Sequence, residues 1–208
     1  GKDYSRRLVE KAVSRGKSTQ EKGDALLDLI TTTDNYDDVK GADLVIEAVF
    51  ENVELKAKIT KMAEAVLDKD AVFGSNTSTL PITGLAEASE RPENFIGIHF
   101  FSPVERMGLV EIISGEKTSE ATLAKAVDYV LAIRKTPIAV NDSRGFYTSR
   151  CFGTYTREGM EMLAEGIKPA IIENVGRQSG MPMGPLEVSD SVGLDTALKV
   201  TRATAEAA

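Results

Sequence analysis

Residues 94–113 read NFIGIHFFSPVERMGLVEII and contain the one histidine of the 208-residue sequence. The run from Phe95 to Phe101 is apolar, β-branched and aromatic, and the Ser-Pro dipeptide after it ends the run, which predicts a buried strand with His99 near its carboxyl end. A second short strand is predicted from Leu109 to Ile113. The loop between them is short enough for the two strands to lie side by side, so we expect Glu111 to accept a hydrogen bond from a ring nitrogen of His99.

This histidine has two interpretations. An imidazole that a carboxylate holds in one tautomer keeps its second nitrogen free as a general base near neutral pH, and His99 beside Glu111 would satisfy that requirement. A histidine in an apolar run is also commonly a hydrogen-bonded core residue. Residues 94–113 alone do not decide between a catalytic base and a core residue, so the choice depends on the rest of the sequence.

Composition excludes several classes of protein. The sequence is 42% hydrophobic and 27% charged, values typical of a globular protein, and its net charge of -7 argues against a nucleic-acid or anionic membrane partner. No apolar run approaches the ~20 residues of a membrane-spanning helix, and no signal-peptide pattern is present. A single cysteine, Cys151, excludes an internal disulfide and suits a reducing compartment, either a bacterial cytoplasm or a eukaryotic organelle matrix. We interpret Cys151 as structural, and the chain offers too few soft ligands for a metal cluster.

Hydrophobic periodicity predicts an α/β fold. Two helices come first, the second after a cap at residues 18–21, and strands and helices then alternate from Ile30. Nearly continuous apolar strands separated by helices indicate a Rossmann-like parallel sheet covered on both faces, whose carboxyl edge is where ligands bind. The predicted strands are 43–49, 71–75, 95–101, 109–113 and 138–140, and the predicted helices among them are 53–67, one near Leu85, and 120–133.

The pattern of predicted secondary structure changes after Asn141. From Phe146 onward only helical patterns remain, broken at Gly166, at residues 180–182 and at Gly193. We therefore predict a second, all-helical domain over residues 142–208, with three or four helices, after a first domain over residues 1–141. Residues 183–195 are predicted to be a turn between two of these helices.

Two charged features stay open at this point. Glu51 and Lys56 are compatible with an ordinary helix-start pair, because a carboxylate near a helix N-terminus is favourable without any ligand. The first helix carries a basic face that is either simply solvated or lines the entry for an anionic ligand. Its cations are Lys2, Arg6, Arg7 and Lys11.

Five motifs, taken in order, resemble a known family. They are EAVFENVELK at 47–56, SNTSTLPIT at 75–83, the stretch 96–113, RGF at 144–146 and GMPMGPLEVSDSVGLD at 180–195. In this order they resemble the L-3-hydroxyacyl-CoA dehydrogenases, and EAVFEN is most similar to the dehydrogenase region of multifunctional fatty-acid oxidation proteins. The resemblance spans nearly all of the chain and implies an NAD-binding domain followed by the helical C-terminal domain of that family.

The resemblance implies an activity and a set of site residues. Members of the family oxidise the 3-hydroxyl of a fatty acyl-CoA to a ketone in β-oxidation and pass a hydride to NAD. By motif, His99 matches the catalytic base, Glu111 the carboxylate that orients it, and Ser78 the hydroxyl that binds the substrate oxygen. NAD is the hydride acceptor, so no metal ion is implied. The positions implied to contact the cofactor are Glu51, Lys56, Asn76, Ser78 and Ser102.

The sequence departs from the family pattern in two places. The opening strand of the family, with its G-x-G-x-x-G turn, has no counterpart in this sequence. We therefore expect the sequence to be a fragment of a longer protein, and we expect the fragment alone to bind NAD weakly. Ser149 stands in GFYTSR where the family usually has an asparagine near the reacting oxygen. Serine is shorter and has a single donor, so either a water fills the gap or the geometry differs, and we still count Ser149 with the catalytic residues.

Two alternatives accompany this interpretation. The first is a dehydrogenase acting on short 3-hydroxybutyryl-CoA, and the second is a non-catalytic structural or binding paralogue that kept the fold. The retained set of His99, Glu111 and Ser78 weighs against the second. Implied partners are the acyl-CoA substrate and either a second copy of the chain or a multifunctional β-oxidation complex.

Overall fold

A single five-stranded sheet organises the fold in the computed structural model, which describes residues 1–193 and residue 198. The strands lie in the order of the chain and are β1 (Leu44–Glu47), β2 (Val72–Ser75), β3 (Phe95–Phe100), β4 (Leu109–Ser114) and β5 (Thr136–Asn141). The helices before and between them are α1 (Lys2–Ser14), α2 (Gln20–Asp28), α3 (Val53–Glu64), α4 (Ile82–Ala86) and α5 (Glu120–Ala132). Short 3₁₀ turns cover Tyr36–Val39 and Pro92–Asn94, and the helices after the sheet are α6 (Thr148–Ala164), α7 (Pro169–Gln178) and α8 (Pro185–Val192).

Strand direction changes once across the sheet. β1, β2 and β3 are parallel, β4 is antiparallel to β3, and β5 is parallel to β4. The predicted Rossmann-like α/β class is confirmed, but the sheet is mixed rather than wholly parallel. The reason lies in the connection of residues 101–108, because parallel neighbours need a crossover of about a dozen residues or more and a shorter loop returns the chain antiparallel.

Apolar side chains cover both faces of the sheet, as strands without strict alternation require. On the face under α3 and α4, the rings of Phe73 and Phe95 stack with centroids 5.5 Å apart. Their buried neighbours include Ala63, Leu67, Ile82, Leu85, Ile113 and Phe146. On the opposite face α5 packs over a second buried cluster of Val72, Ile96, Ile98, Val110, Ile112, Ala126 and Val130.

Helices α1 and α2 form a hairpin ahead of the sheet. The predicted cap is confirmed, since the Thr19 hydroxyl accepts the N–H of Lys22 at 3.3 Å. Gly23 faces Val9, and a Cβ at Gly23 would stand 2.5 Å from Val9 Cγ1. The glycine therefore permits the close approach of the two helices.

Only helices follow β5 in the described part of the chain, as predicted. α6, α7 and α8 pack on one another, with Gly159 of α6 against Pro185 and the Tyr155 hydroxyl donating to the carbonyl of Met183 at 2.7 Å. The predicted helix breaks at Gly166 and Gly180 are confirmed, both glycines having positive φ. The domain boundary near residue 142 stays a prediction.

The prediction of a turn over residues 183–195 is wrong. Pro185–Val192 is α8, which begins with proline at its first position, where the missing N–H costs no hydrogen bond. Glu173 of α7 supplies the cap from a distance, its Oε1 accepting the N–H of Leu186 at 2.8 Å and of Glu187 at 3.1 Å. Residues 194 and 195, the end of that segment, lie outside the described residues.

The chain leaving the sheet is tied to α4. The two carboxylate oxygens of Asp142 accept the N–H groups of Ile82 and Thr83 at 2.9 and 2.8 Å. This contact fixes where the chain turns toward α6. Each helix found in residues 1–193 and residue 198 is too short or too polar to span a lipid bilayer.

Candidate active site

His99 and Glu111 face each other across β3 and β4. They are directly opposite in the antiparallel register, and the distance from His99 Nδ1 to Glu111 Oε2 is 2.7 Å. The predicted contact is confirmed. It follows from the register alone, because residues directly opposite in adjacent strands place their side chains on the same face.

Glu111 is fully buried and receives donors from two elements. Besides His99, the N–H groups of Tyr147 and Thr148 donate to Oε1 at 3.1 and 2.8 Å, and the Thr148 hydroxyl donates to Oε2 at 2.8 Å. Burial alone would raise the pKa of Glu111, but the hydrogen bonds from His99 and Thr148 outweigh it and hold that pKa below its ordinary value. Glu111 is therefore a carboxylate, and an acceptor at this position assigns a proton to Nδ1 of His99, so that in the neutral ring the lone pair is on Nε2.

The His99 ring is largely shielded from water. Its side chain is 8% exposed, and its ring centroid lies 4.4 Å from that of Phe101 and 6.1 Å from that of Phe146. The interaction of the ring with Glu111 is therefore little screened by water.

A second polar cluster joins the carboxyl ends of β1 and β2. Glu51 Oε1 accepts the Thr77 hydroxyl at 2.5 Å and the N–H groups of Ser78 and Thr79 at 3.1 and 3.2 Å. Burial opposes ionisation of Glu51, but the Thr77 hydrogen bond and the Lys56 charge outweigh it, and its pKa lies below the ordinary value. Glu51 thus fixes the turn that carries Ser78, whose side chain is exposed.

Lys56 lies beneath this turn and is buried. Its Nζ is 2.8 Å from Glu47 Oε1 and 3.6 Å from Glu51 Oε2, and the Ser75 hydroxyl also donates to Glu47. The observed partners of the ammonium group are therefore carboxylates of the protein itself. A direct contact of Lys56 with a cofactor stays a prediction.

The remaining predicted residues surround the same edge. Asn76 Oδ1 accepts the N–H of Phe100 at 3.0 Å, which ties the end of β2 to the strand that carries His99. Ser102 is exposed in the loop after β3, and Ser149 is half-buried in the first turn of α6. The structure thus joins His99 directly to Glu111, and Glu51 to Lys56 and the Ser78 turn. The roles of Ser102 and Ser149 stay predictions.

Sequence reasoning missed three residues of these clusters. Thr148 makes two of the hydrogen bonds to Glu111, Thr77 makes the short contact with Glu51, and Glu47 neutralises Lys56. Thr77 and Thr148 each stand next to a predicted site serine, and a hydroxyl at the start of a helix is a recognisable signal. No local signal pairs Glu47 with Lys56, because the contact joins a strand to the helix after it.

A separate cavity of about 600 Å³ lies between β5 and the start of α6. Phe146 lines it and also lies beside the His99 ring. Cys151, which we interpreted as structural, is exposed on its wall. Among the described residues, no group of three or more His, Cys, Asp and Glu side chains is placed to hold a metal ion.

The fold and the site together define a class of protein. Three parallel strands end at one edge with a hydroxyl, an amide and a carboxylate, and a buried His–Glu pair lies at the same edge. In Rossmann-type folds this edge of the sheet is where a dinucleotide binds, so the fold and the site place the chain in the class of Rossmann-type proteins.

Comparison with known proteins gives the family. Residues 1–143 match the model of the 3-hydroxyacyl-CoA dehydrogenase NAD-binding domain, and residues 145–208 match that of the 3-hydroxyacyl-CoA dehydrogenase C-terminal domain. The chain belongs to the 3-hydroxyacyl-CoA dehydrogenase family. The expected cofactor, NAD, agrees with the first of these domains.

Relatives and solved structures agree with this assignment. The chain is 43% identical over 198 residues to the fatty acid oxidation complex subunit alpha of Shewanella amazonensis, covering 95% of this chain and 28% of that protein. The 3-hydroxybutyryl-CoA dehydrogenase of Escherichia coli superposes with a TM-score of 0.91 at 32% identity, over 96% of this chain and 43% of that one. The (S)-3-hydroxybutyryl-CoA dehydrogenase of Ralstonia eutropha gives 0.89 at 36% identity, over 94% of this chain and 70% of that one. The chain thus spans little more than a quarter of the length of the curated relatives it matches.

Proposed function

We propose that this protein oxidises the 3-hydroxyl of an (S)-3-hydroxyacyl-CoA to the ketone, with hydride transfer to NAD, as a step of fatty-acid β-oxidation. The observation that carries the proposal is the buried hydrogen bond between His99 and a Glu111 that is held ionised. Alcohol oxidation needs a base for the hydroxyl proton and an acceptor for the hydride. His99 provides the base, and NAD, the cofactor of the family's NAD-binding domain, provides the hydride acceptor.

The mechanism assigns a task to each member of the pair. Nε2 of His99 takes the proton of the 3-hydroxyl while the C3–H bond breaks, and its electron pair leaves with the hydrogen as the C3–O bond becomes a carbonyl. NAD, when bound, supplies the nicotinamide ring that accepts this hydride. Glu111 keeps Nδ1 protonated and offsets the positive charge that develops on the ring. In the direction of ketone reduction, the same imidazolium returns its proton to the oxygen.

The neighbouring residues fit a substrate and a nicotinamide at this edge. The exposed Ser78 hydroxyl is proposed to bind the substrate oxygen, and Ser149 to lie near it at the start of α6. Glu51, Asn76 and Ser102 are proposed to contact the cofactor, since they lie at or just beyond the carboxyl ends of β1, β2 and β3. Lys56 is proposed to act on the cofactor site through Glu51, because its ammonium group is buried against Glu47 and Glu51.

The test is the oxidation of NADH by 3-ketoacyl-CoA in the full-length protein, with His99→Gln as the variant. Glutamine keeps a donor for Glu111 but cannot take a proton, so we expect kcat to fall by about 10²-fold or more while the fold is retained. Circular dichroism of the variant checks the fold. A variant that is folded and turns over at the wild-type rate would remove His99 from the mechanism.

The second candidate function is a dehydrogenase for short 3-hydroxybutyryl-CoA, and the preferred length of the acyl group distinguishes it from the first. Two of the matching structures are 3-hydroxybutyryl-CoA dehydrogenases by name, which favours a short acyl group. The alpha-subunit relatives favour fatty-acid substrates. Measuring kcat/KM over a series of 3-ketoacyl-CoA substrates from four to sixteen carbons distinguishes them, because a short-chain enzyme loses activity with each added pair of carbons.

The relatives also suggest a partner and a place. They are named as subunits of a fatty acid oxidation complex in bacteria, so we propose that this protein works in such a complex in the bacterial cytoplasm. Size-exclusion chromatography with light scattering on protein purified from its native host tests this. Elution at the mass of the isolated chain would argue against a complex.

A further inference from the structure

Thr148 is the first residue of α6, and it donates to both oxygens of Glu111. Its N–H lies 2.8 Å from Oε1 and its hydroxyl 2.8 Å from Oε2. The second of these oxygens is also the one that His99 Nδ1 contacts at 2.7 Å. Two donors, one from the helix and one from the catalytic ring, therefore share a single carboxylate oxygen.

We propose that Thr148 is a positioning residue that, through Glu111, sets how strongly His99 holds a proton. Its catalytic meaning rests on the proposed function, but the coupling between the two side chains does not. Thr148 is separated from Glu111 by 37 positions in sequence, so the contact exists only where α6 begins against the sheet.

The negative charge of Glu111 is divided among several donors. A carboxylate that already accepts a hydroxyl has less acceptor strength left for a second donor, and it therefore stabilises an imidazolium less. The Thr148 hydroxyl thus favours the neutral ring, which is the form that can accept the substrate proton. The same hydroxyl also fixes the direction of Oε2, so that the ring of His99 keeps one orientation.

Among the hydrogen bonds to Glu111 described above, His99 is the one other titratable side chain that touches the carboxylate. The groups that contact the Glu111 carboxylate in the described part of the chain are His99 from β3 and the amides and hydroxyl at the start of α6. Its neighbour in register on β5 is Ile138, which is apolar. The rings that lie against His99 belong to Phe101 and Phe146.

The experiment follows the ring of His99 in the full-length protein. Its signals in ¹H–¹⁵N and ¹H–¹³C NMR spectra are identified by their loss in His99→Gln and are then followed over pH in wild type, Thr148→Val and Thr148→Ser. Valine keeps the branched shape and removes the hydroxyl, and serine restores it. We expect the pH midpoint of the ring signals to rise by ~0.5 unit or more in Thr148→Val and to stay near wild type in Thr148→Ser.

Thr156→Val is the matched control. Thr156 lies two turns further along α6, where its hydroxyl donates to the carbonyl of Phe152 at 3.1 Å. The control removes a hydroxyl from the same helix without touching Glu111, so its midpoint should equal that of wild type. Equal midpoints in Thr148→Val and wild type, or an equal rise in Thr156→Val, would overturn the proposal.

Two further measurements cover a variant that does not fold and a failure of the proposed function. If Thr148→Val does not fold, Thr148→Ala against Thr148→Ser makes the same comparison. In the full-length protein, the acid limb of the kcat/KM profile for the hydroxyacyl substrate should move upward with the NMR midpoint. A shifted midpoint in a protein without dehydrogenase activity would support the coupling and contradict the proposed function, so the two failures are distinct.

Discussion

Glu111 is the residue at which the sheet and the helices that follow it meet. It accepts one hydrogen bond from β3 and three from the start of α6, all with its charge buried. Four donors around a single carboxylate offset the cost of burying it. The same residue therefore orients His99 and anchors α6, so that the proposed catalysis and the stability of the fold both depend on one side chain.

Glu111→Gln separates charge from shape. Glutamine has nearly the same size, but its NH₂ group would face donors where an oxygen now accepts them. We expect kcat to fall by about 10²-fold, since the base loses its partner, and the free energy of unfolding to fall by about 1–3 kcal/mol. Steady-state kinetics and urea denaturation measure the two effects.

The matched control is Glu116→Gln, which makes the same change at an exposed position after β4. It should leave the free energy of unfolding within about 0.5 kcal/mol of wild type. A Glu111→Gln protein that resembles this control in both measurements would contradict the role assigned to Glu111.

At the scale of elements, the turn after β2 is fixed by α3. Lys56 of α3 is paired with Glu47 at the end of β1, and both side chains are 2% exposed. Lys56 also lies 3.6 Å from Glu51, which in turn accepts the N–H groups of Ser78 and Thr79. This chain of contacts places Ser78 by way of a buried ion pair.

Lys56→Met should break that arrangement. Methionine fills a similar volume but leaves Glu47 buried without a cation, so we expect the free energy of unfolding to fall by about 3 kcal/mol. Lys58→Met, on the exposed face of the same helix, should stay within about 0.5 kcal/mol of wild type. Urea denaturation of the three proteins checks this, and matching midpoints for the two variants would show that the ion pair adds nothing.

The elements also show what a sequence can predict here. The apolar runs predict β1, β2 and β3 to within two residues at either end, because a strand buried on both faces needs an uninterrupted run. The direction of β4 was not in the periodicity and follows from loop length. The sequence pattern predicts a turn where α8 lies, because Gly184-Pro185 normally ends a helix pattern. In the structure proline begins the helix, and Glu173, distant in sequence, caps it.

The sequence likewise predicts only part of the candidate site. His99 opposite Glu111 follows from two strands joined by a short loop, so the sequence suffices for it. Thr148 could not be paired with Glu111 in the same way, because that contact depends on where the helical part of the chain returns to the sheet. Packing between distant segments, rather than local pattern, decides such contacts.

For the whole molecule, we expect the free energy of unfolding to fall in acid, and we expect Glu111 and Glu51 to account for part of that fall. Glu111 and Glu51 both have folded-state pKa values below the ordinary one, so in acid the unfolded chain binds more protons than the folded chain. Their contribution is therefore complete above the pKa of the unfolded chain, near 4.5 for a glutamate, and is lost as the pH falls through the folded value. Glu51 contributes less, because its side chain is 36% exposed and water screens it.

The difference between wild type and Glu111→Gln measures the Glu111 share. Other carboxylates of this chain of net charge -7 also titrate in acid, but they do so in both proteins and cancel in the difference. We expect the gap in the free energy of unfolding to narrow below about pH 4.5, since wild-type Glu111 then begins to lose its charge. Urea denaturation at half-unit steps of pH follows it, with Glu116→Gln expected to run parallel to wild type throughout. A Glu111→Gln gap that keeps its full size down to the pH of acid unfolding would mean that the buried hydrogen bonds do not depend on an ionised Glu111.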